Sequence, residues 1–372
     1  MNHAVIGLGY GDEGKGVVTN YLCSQHPRET VSIRFSGGPQ AAHTVYQGER
    51  NHIFSHFGSG TLSECSTFWS RFCTFDPIAL MWEYKQLLSI GMVPFITVDP
   101  QCPVTTPYDI LENQLRDFGN GTCGSGFYRT KLRHFRDGLT FTVFDLFSFD
   151  APGCLGKMGE ISHYYNDPMN QKLEHLVDEF YEALYFVRTC PDIAIADKIP
   201  DYPHRVYEGS QGLMLDEFIG HMPHCSPSDL TPRNALKLGT IDQLWLVTRC
   251  YQTRHGPGPM TNEDKEMPNL VNTKHETCLD NRFQGSLRRT ILDVDQLQHA
   301  KAEGIDKVVD KDLKINLVVT CVDQMESYPV TVAGKVKECS SPEGLVHFLG
   351  RKLGIKGDYY FNDSPHSNLT FV

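Results

Sequence analysis

Gly9-Tyr10-Gly11-Asp12-Glu13-Gly14-Lys15-Gly16 decides how this chain is read. Before it, Ala4-Val5-Ile6-Gly7-Leu8 is an apolar run with the length of a buried strand; after it, Lys15 to Leu22 reads as the first helix. A strand that breaks into glycines and then into a helix N-terminus makes an anion site, because backbone N–H groups point at the ligand and the helix dipole favours negative charge. Two motifs overlap here. Gly9-x-Gly11-x-x-Gly14 fits a dinucleotide fingerprint. Gly9-x-x-x-x-Gly14-Lys15 fits the start of a phosphate-binding P-loop, but Gly16 stands where that loop needs Ser or Thr for magnesium. Asp12 and Glu13 weigh between them. A carboxylate beside a pyrophosphate is repulsive unless it holds a metal or takes a proton, and Lys15 supplies a cation next to both. The loop therefore reads as one that binds phosphate and magnesium and uses Asp12 for chemistry; the plainer alternative is a tight structural turn.

The rest of the composition narrows the class. The chain has 372 residues, 40% hydrophobic and 21% charged, which describes a globular protein of one large domain or two. A formal charge of −11 argues against a surface that coats nucleic acid. No stretch of eighteen apolar residues occurs, so no membrane span is expected. The first residues run straight into a strand without a cationic, apolar, small-residue signal pattern. Twelve cysteines are scattered without a C-x-x-C pair, and sixteen histidines without H-E-x-x-H spacing, which fits neither a zinc site nor a secreted disulfide framework. A reducing cytoplasm is the expected compartment.

Along the chain, Val31 to Phe35 reads as the second strand, and His43–Tyr46 and Asn51–Phe54 as a hairpin around residues 47–50. Asp76-Pro77 opens a helix that Gly91 closes, and Phe95 to Val98 is a further strand. Leu173 to Val187 is an amphipathic packing helix. Arg205 to Gly212 repeats the pattern of strand into glycine loop; Leu244–Val247 and Lys314–Thr320 are buried strands. The alternation predicts an α/β fold with a mostly parallel central sheet flanked by helices, P-loop-like in its first loop. No linker or repeat interrupts it, so residues 1–372 are read as a single domain with helical and loop insertions around 100–200.

The Gly-Asp-Glu-Gly-Lys-Gly run closely resembles the signature of adenylosuccinate synthetases, carbon–nitrogen ligases that join aspartate to a purine nucleotide through a 6-phosphoryl intermediate. The resemblance continues in order along the chain. Ser36 to His43 resembles the family's Gly-Gly-His-Asn-Ala-Gly-His, keeping Gly37, Gly38, Ala41 and His43 and placing Pro39, Gln40 and Ala42 elsewhere. Gly119 to Gly126 resembles its Thr-Thr-Gly-x-Gly loop, with Thr122 and Cys123 at the two threonines. Tyr207 to Gly212 resembles Phe-Glu-Gly-Ala-Gln-Gly, and Tyr251 to Pro259 resembles Tyr-Ser-Thr-Arg-Val-Gly-Ala-Gly-Pro. Ser226 falls at a phosphate-binding threonine. Phe283 to Arg289 resembles the aspartate clamp Thr-Thr-Gly-Arg-x-Arg-Arg, keeping Gly285, Arg288 and Arg289 but carrying Ser286 for the first arginine. Thr320-Cys321-Val322-Asp323 resembles Thr-Lys-Leu-Asp, and Ser364-Pro365-His366-Ser367 stands where Gly-Pro-Asp-Arg closes over the donor base.

The resemblance implies catalytic roles for Asp12, His43 and Gln211. The donor nucleotide would meet Gly11, Glu13, Gly14, Lys15, Gly16, His43, Thr44, Arg288, Asp323, Ser364 and Pro365. The acceptor would meet Asp12, Gln40, Thr122, Cys123, Gln211 and Ser226, with Arg133, or Arg136 as its rival, reaching it across a homodimer. Gly285, Ser286, Arg288 and Arg289 would hold aspartate, and Asp12 with Ala42 would hold Mg2+. The departures gather at the acceptor sugar, the acceptor phosphate and the donor base. They are similar to those of the bacteriophage branch, which makes 2-amino-2'-deoxy-N6-succinyladenylate from dGMP with ATP or dATP for diaminopurine DNA, in the host cytoplasm. An ordinary synthetase using IMP and GTP is the alternative. Two other classes stay open: an NAD(P)-dependent oxidoreductase, for which Arg34 and Phe35 stand where an acid should bind ribose, and a nucleotide sensor without turnover.

Overall fold

The structure is a computed structural model; it describes every residue except 118, 120, 149, 167–170 and 278, and leaves out the side chains of 151 and 171. Asn120 of the second glycine cluster and Cys278 lie outside the described residues.

The strands are β1 (Asn2–Gly7), β2 (Thr30–Arg34), β3 (His43–Gln47), β4 (Arg50–Phe54), β5 (Ser66–Trp69), β6 (Ile96–Val98), β7 (Ile193–Ile195), β8 (His204–Gly212) and β9 (Gln243–Arg249). They continue with β10 (Tyr251–Arg254), β11 (Asp280–Asn281), β12 (Gly285–Ser286), β13 (Arg288–Asp293), β14 (Lys314–Thr320), β15 (Tyr328–Val332), β16 (Lys335–Cys339), β17 (Tyr359–Phe361) and β18 (Thr370–Phe371). Among the described residues ten of them form one sheet in the order β18-β17-β14-β9-β1-β8-β2-β5-β6-β7. Every pairing in it is parallel except β17 with β18 at the edge. Parallel strands are covered on both faces, so their sequences are apolar runs rather than alternations. Ala4, Val5 and Ile6 of β1 are buried accordingly, and all five residues of β2 are buried although Thr30, Ser32 and Arg34 are polar. This is the α/β architecture expected from the sequence.

Helix α1 (Lys15–Ser24) follows the first loop. Helix α2 (Pro77–Ser89) starts where a carboxylate cap and a proline predict it: Asp76 accepts from the N–H groups of Ile78 at 3.0 Å and Ala79 at 3.2 Å. Between β6 and β7 lie α3 (Pro107–Arg116), α4 (Phe127–Lys131), α5 (Val143–Ser148), α6 (Ala151–Tyr165) and α7 (Gln171–Thr189), a helical excursion from the sheet. They pack into their own apolar cluster with α2, including Leu80, Leu87, Phe141, Ile161, Leu173 and Phe180. At about 1.5–3 kcal/mol for each large apolar side chain taken from water, that cluster holds the excursion against the sheet edge. Helices α8 (Arg233–Leu238), α9 (Val294–Gly304) and α10 (Pro342–Leu353) complete the chain. No helix among the described residues is long and apolar enough to cross a membrane.

Two local expectations change. The β3–β4 turn has two residues, Gly48 and Glu49, instead of four. Arg205 to Gly212 does not open into a loop: β8 continues through Gly212, with an irregularity in its pairing to β1. Its glycines are there for close approach, since a Cβ on Gly209 would lie 2.7 Å from the Val5 carbonyl and one on Gly212 2.1 Å from the Gly9 carbonyl. Tyr251 to Arg254 is strand β10 of a second sheet ordered β10-β13-β15-β16.

Candidate active site

The carboxyl ends of β1, β8, β9 and β14, with the loop after β2, converge on a cavity of 310 Å³. In a parallel sheet that edge is where side chains and helix N-termini from neighbouring strands meet. Gly11 and Gly14 take positive φ at 102° and 81°, and Asp12 does so at 57°. The shape of this loop is held from outside. Thr253 Oγ1 donates to the Gly11 carbonyl at 3.0 Å, Arg249 Nε donates to the Asp12 carbonyl, and Thr320 Oγ1 donates to the Glu13 carbonyl at 2.9 Å. Those three side chains come from β10, β9 and β14. Glu13 turns inward, accepting from the Gly9 N–H and pairing with Lys15 Nζ at 2.9 Å. Gly16 has a steric reason: a Cβ there would stand 2.7 Å from the His43 Cβ and 2.9 Å from Ser59 Oγ.

His43 is nearly buried at the start of β3. Its Nδ1 is 2.6 Å from Glu208 Oε1 and its Nε2 is 3.0 Å from the Ser210 carbonyl. Both partners are acceptors, so the doubly protonated ring satisfies them together. Burial opposes that charge, joined by Arg34 and Lys15, and outweighs the pull of Glu208, so the imidazole sits below its ordinary value. A proton held this way is readily given up. Glu208 is buried too; burial would raise its carboxyl, but His43, Arg34 and a hydrogen bond from Ser59 hold it down to about 2. The Ser59 N–H also donates to it, at 3.0 Å.

Asp12 Oδ2 lies 3.0 Å from His255 Nε2. Burial would raise the Asp12 carboxyl; His255 first, then Arg249 and Lys15, overcome this and keep it below the ordinary carboxylate value. Asp12 is therefore ionised at neutral pH. Arg249 itself is braced by Glu276 at 2.8 Å and by the Tyr251 hydroxyl at 2.6 Å. Gln40 and Gln211 line the same cavity. Both ends of the Gln40 amide and Oε1 of Gln211 are buried without a partner among the described residues. Unpaired buried polar atoms cost about 1–3 kcal/mol each, so such amides mark a place for a ligand's donors and acceptors.

Of the residues singled out from the sequence, Gly11, Asp12, Glu13, Gly14, Lys15, Gly16, Gln40, Ala42, His43, Thr44, Gln211, Asp323, Ser364 and Pro365 line this cavity. Thr44 also bonds Thr277 at 2.7 Å. Asp323 follows Cys321, whose φ is 59°, and its carboxyl is raised by burial and by Asp363. Thr122 and Cys123 stand beside the cavity rather than in its wall. Their loop is tied to it by Gln284, which lines the cavity and donates to the Gly121 carbonyl at 3.0 Å. Ser226 is buried next to the loop that carries Ser228, whose hydroxyl accepts from the Gly37 N–H at 3.2 Å. Gly285 and Ser286 form β12, where Ser286 donates to Asp280 at 2.5 Å. Arg288 and Arg289 lie on β13, outside the cavity wall. Arg288 is held by Glu263 at 2.6 Å and by the Gly256 and Gly258 carbonyls, while Nε of Arg289 has no partner.

Arg133 is corrected. It is fully buried, with Nε and Nη2 both 2.9 Å from the Asp109 carboxylate, and it also donates to the Val104 and Leu139 carbonyls. A guanidinium satisfied on all sides inside the helical excursion cannot reach across to a second chain. Arg136, its rival, is exposed and pairs with neighbouring Asp137 at 2.7 Å. Three residues of the site were not singled out from the sequence: Glu208, Arg249 and His255. The signal for the first two was a charge set inside a run that otherwise reads as a buried strand, which demands a partner.

Comparison with known proteins agrees with this geometry. The adenylosuccinate synthetase family profile matches residues 4–327. The adenylosuccinate synthetase of Marinomonas sp. is 29% identical over 304 residues, covering 74% of this chain and 68% of that protein. That of Histophilus somni is 30% identical over 286 residues, covering 70% and 64%. Among solved structures, the fully ligated adenylosuccinate synthetase of Plasmodium falciparum superposes with a TM-score of 0.76 at 16% identity, over 100% of this chain and 99% of that one. The succinoaminodeoxyadenylate synthetase of cyanophage S-2L, bound to dGMP and dATP, superposes at 0.63 and 15% identity, over 100% and 95%. With the profile spanning most of its length, this chain belongs to the adenylosuccinate synthetase family of carbon–nitrogen ligases.

Proposed function

We propose that the chain joins L-aspartate to carbon 6 of dGMP, at the expense of ATP or dATP, giving 2-amino-2'-deoxy-N6-succinyladenylate. The observation that carries the acceptor is the pair of amide oxygens, Gln40 Oε1 and Gln211 Oε1, buried in the lining of one cavity without a partner among the described residues. Guanine offers an acceptor at O6 and donors at N1 and the 2-amino group; hypoxanthine lacks the last of these. Two orphaned amide oxygens favour the base with more donors. Ser286 occupies the place of an arginine near the acceptor sugar, which suits a sugar without a 2'-hydroxyl. Cys321 and Ser364 to Ser367 alter the donor-base end, which suits adenine in place of guanine.

In this reading ionised Asp12 accepts the N1 proton of the purine. The Gln211 amide steadies the 6-oxygen as charge builds there. That oxygen attacks the γ-phosphorus of the donor, held by Lys15 and the N–H groups at the start of α1. His43, oriented by Glu208, donates toward the phosphoryl oxygens. The aspartate amine, with its carboxylates on Arg289 and Arg288, then displaces phosphate from carbon 6. Magnesium fits the donor set: it keeps most of its waters and needs few protein oxygens besides substrate phosphates, so Asp12 and the main chain at Ala42 suffice to hold it. When bound it offsets the negative charge of the phosphates.

The whole chain works as one catalytic unit, and as a homodimer. Arg136, beside exposed Phe135 on the helical excursion, is the arginine this reading assigns to the interface. A substrate matrix tests the reading: magnesium and aspartate with dGMP, GMP or IMP, each against ATP, dATP or GTP, scored by phosphate release and product mass. Succinylated product from dGMP with an adenine donor is the expected result. Product from IMP and GTP alone would mean an ordinary synthetase.

A further inference from the structure

We propose that His255 is a positioning residue that fixes the carboxylate of Asp12 for its work in the cavity. The inference deepens the proposed function and rests on Asp12 having the role given there. The main chain of residues 11–13 is held carbonyl by carbonyl from Thr253, Arg249 and Thr320. What that clamp leaves free is the Asp12 side chain, which still turns about its own two torsions. His255 Nε2, 3.0 Å from Oδ2, is the contact that removes this freedom.

His255 is itself well anchored. It follows the last residue of β10, Arg254, whose guanidinium stacks 4.3 Å from the Tyr10 ring and donates to the Pro259 and His224 carbonyls. Gly256-Pro257-Gly258-Pro259 comes after it, with Gly256 at φ 76° and Gly258 at φ 114°. Such a turn has little freedom. The related motif quoted above carries valine at this position, so the contact is a property of this chain. A reacting group displaced by 1 Å loses on the order of 100-fold in rate, which sets the scale of the effect.

The test compares His255→Val, His255→Gln and His255→Asn with the parent, on whichever acceptor and donor the parent turns over. Glutamine places an N–H near the position of Nε2; asparagine, one carbon shorter, does not. The expected result is a kcat about 10- to 100-fold lower in His255→Val and His255→Asn. KM for both nucleotides should stay within about twofold, and His255→Gln should recover most of the rate. A His255→Val enzyme with parental kcat overturns the proposal. So does a raised acceptor KM at unchanged kcat, which would make His255 a base contact. If His255→Val fails to fold, equal activity of the Gln and Asn variants overturns it. If the parent itself turns over no purine, the proposed function fails, and the pair is read from the His255 Nε2 proton resonance. Its loss in Asp12→Ala supports the pairing, and its persistence refutes it.

Discussion

Gly16→Ala separates rate from stability at the point where this loop departs from a P-loop. The added Cβ would stand 2.7 Å from the His43 Cβ, 2.9 Å from Ser59 Oγ and 3.3 Å from a Val45 methyl. Carbon atoms rest at about 3.5–4.0 Å, so His43 must back away by about 1 Å. Ser59 is also a donor to Glu208, so both members of the His43–Glu208 pair are pushed at once. Overpacking costs about 1–3 kcal/mol, while replacing a helical glycine returns up to about 1 kcal/mol. The net, about 0–2 kcal/mol, lowers Tm by no more than about 3 °C in a chain of this size. The rate answers differently, because a 1 Å displacement at a proton donor costs on the order of 100-fold. The assay is phosphate release at saturating substrates beside a thermal melt. A folded variant with kcat within about threefold of the parent would refute the reasoning, since His43 would then not need its position.

Glu208→Gln removes the charge that favours imidazolium at His43, so the loss of rate on raising pH should begin at lower pH than in the parent; an unmoved limb in the pH–kcat profile would free His43 from that role. Arg133→Ala strands Asp109 inside the helical excursion and should cost about 3–5 kcal/mol in denaturant unfolding, whereas Arg136→Ala should leave the unfolding curve in place and lower activity. Asp76 is pushed up to about 6 by burial, against an ordinary value of 3.8. Its protonated form therefore favours the fold: that stability is complete below the unfolded value and is lost as pH rises through 6, at most about 3 kcal/mol in all. Asp76→Asn keeps the cap of α2, so it should be more stable than the parent above pH 6, with the difference closing in acid; parallel pH–stability curves would contradict this.

Much of the main sheet was legible because parallel strands leave little choice of residue. Ala4 to Leu8 and Leu317 to Val319 have to be apolar on both faces, and a glycine loop has to follow the first of them. The second sheet was not legible. Tyr251 to Arg254 is short and polar, and its strand character comes from pairing with Arg288 to Ile291, far along the chain. At the site, Asp12 and Lys15 stand out because charge beside glycine is unusual, and His43 through the resemblance of its segment. Arg133 misled because a sequence shows that an arginine is present but not that Asp109 neutralises it. Glu208 was passed over inside a motif read for its glutamine, and His255 because its partner lies in the first loop, more than two hundred residues away.

The clamp on residues 11–13 grips the one group that all amino acids share. Thr253, Arg249 and Thr320 hold carbonyl oxygens, and none of the three bonds depends on which side chain the loop displays. Backbone shape and reactive groups are thereby specified by different parts of the molecule. A change of side chain at position 12 alters what the loop can do to a substrate without altering where the loop is. A family built on this arrangement can exchange its reactive groups, or its nucleotides, while the scaffold beneath them stays as it was.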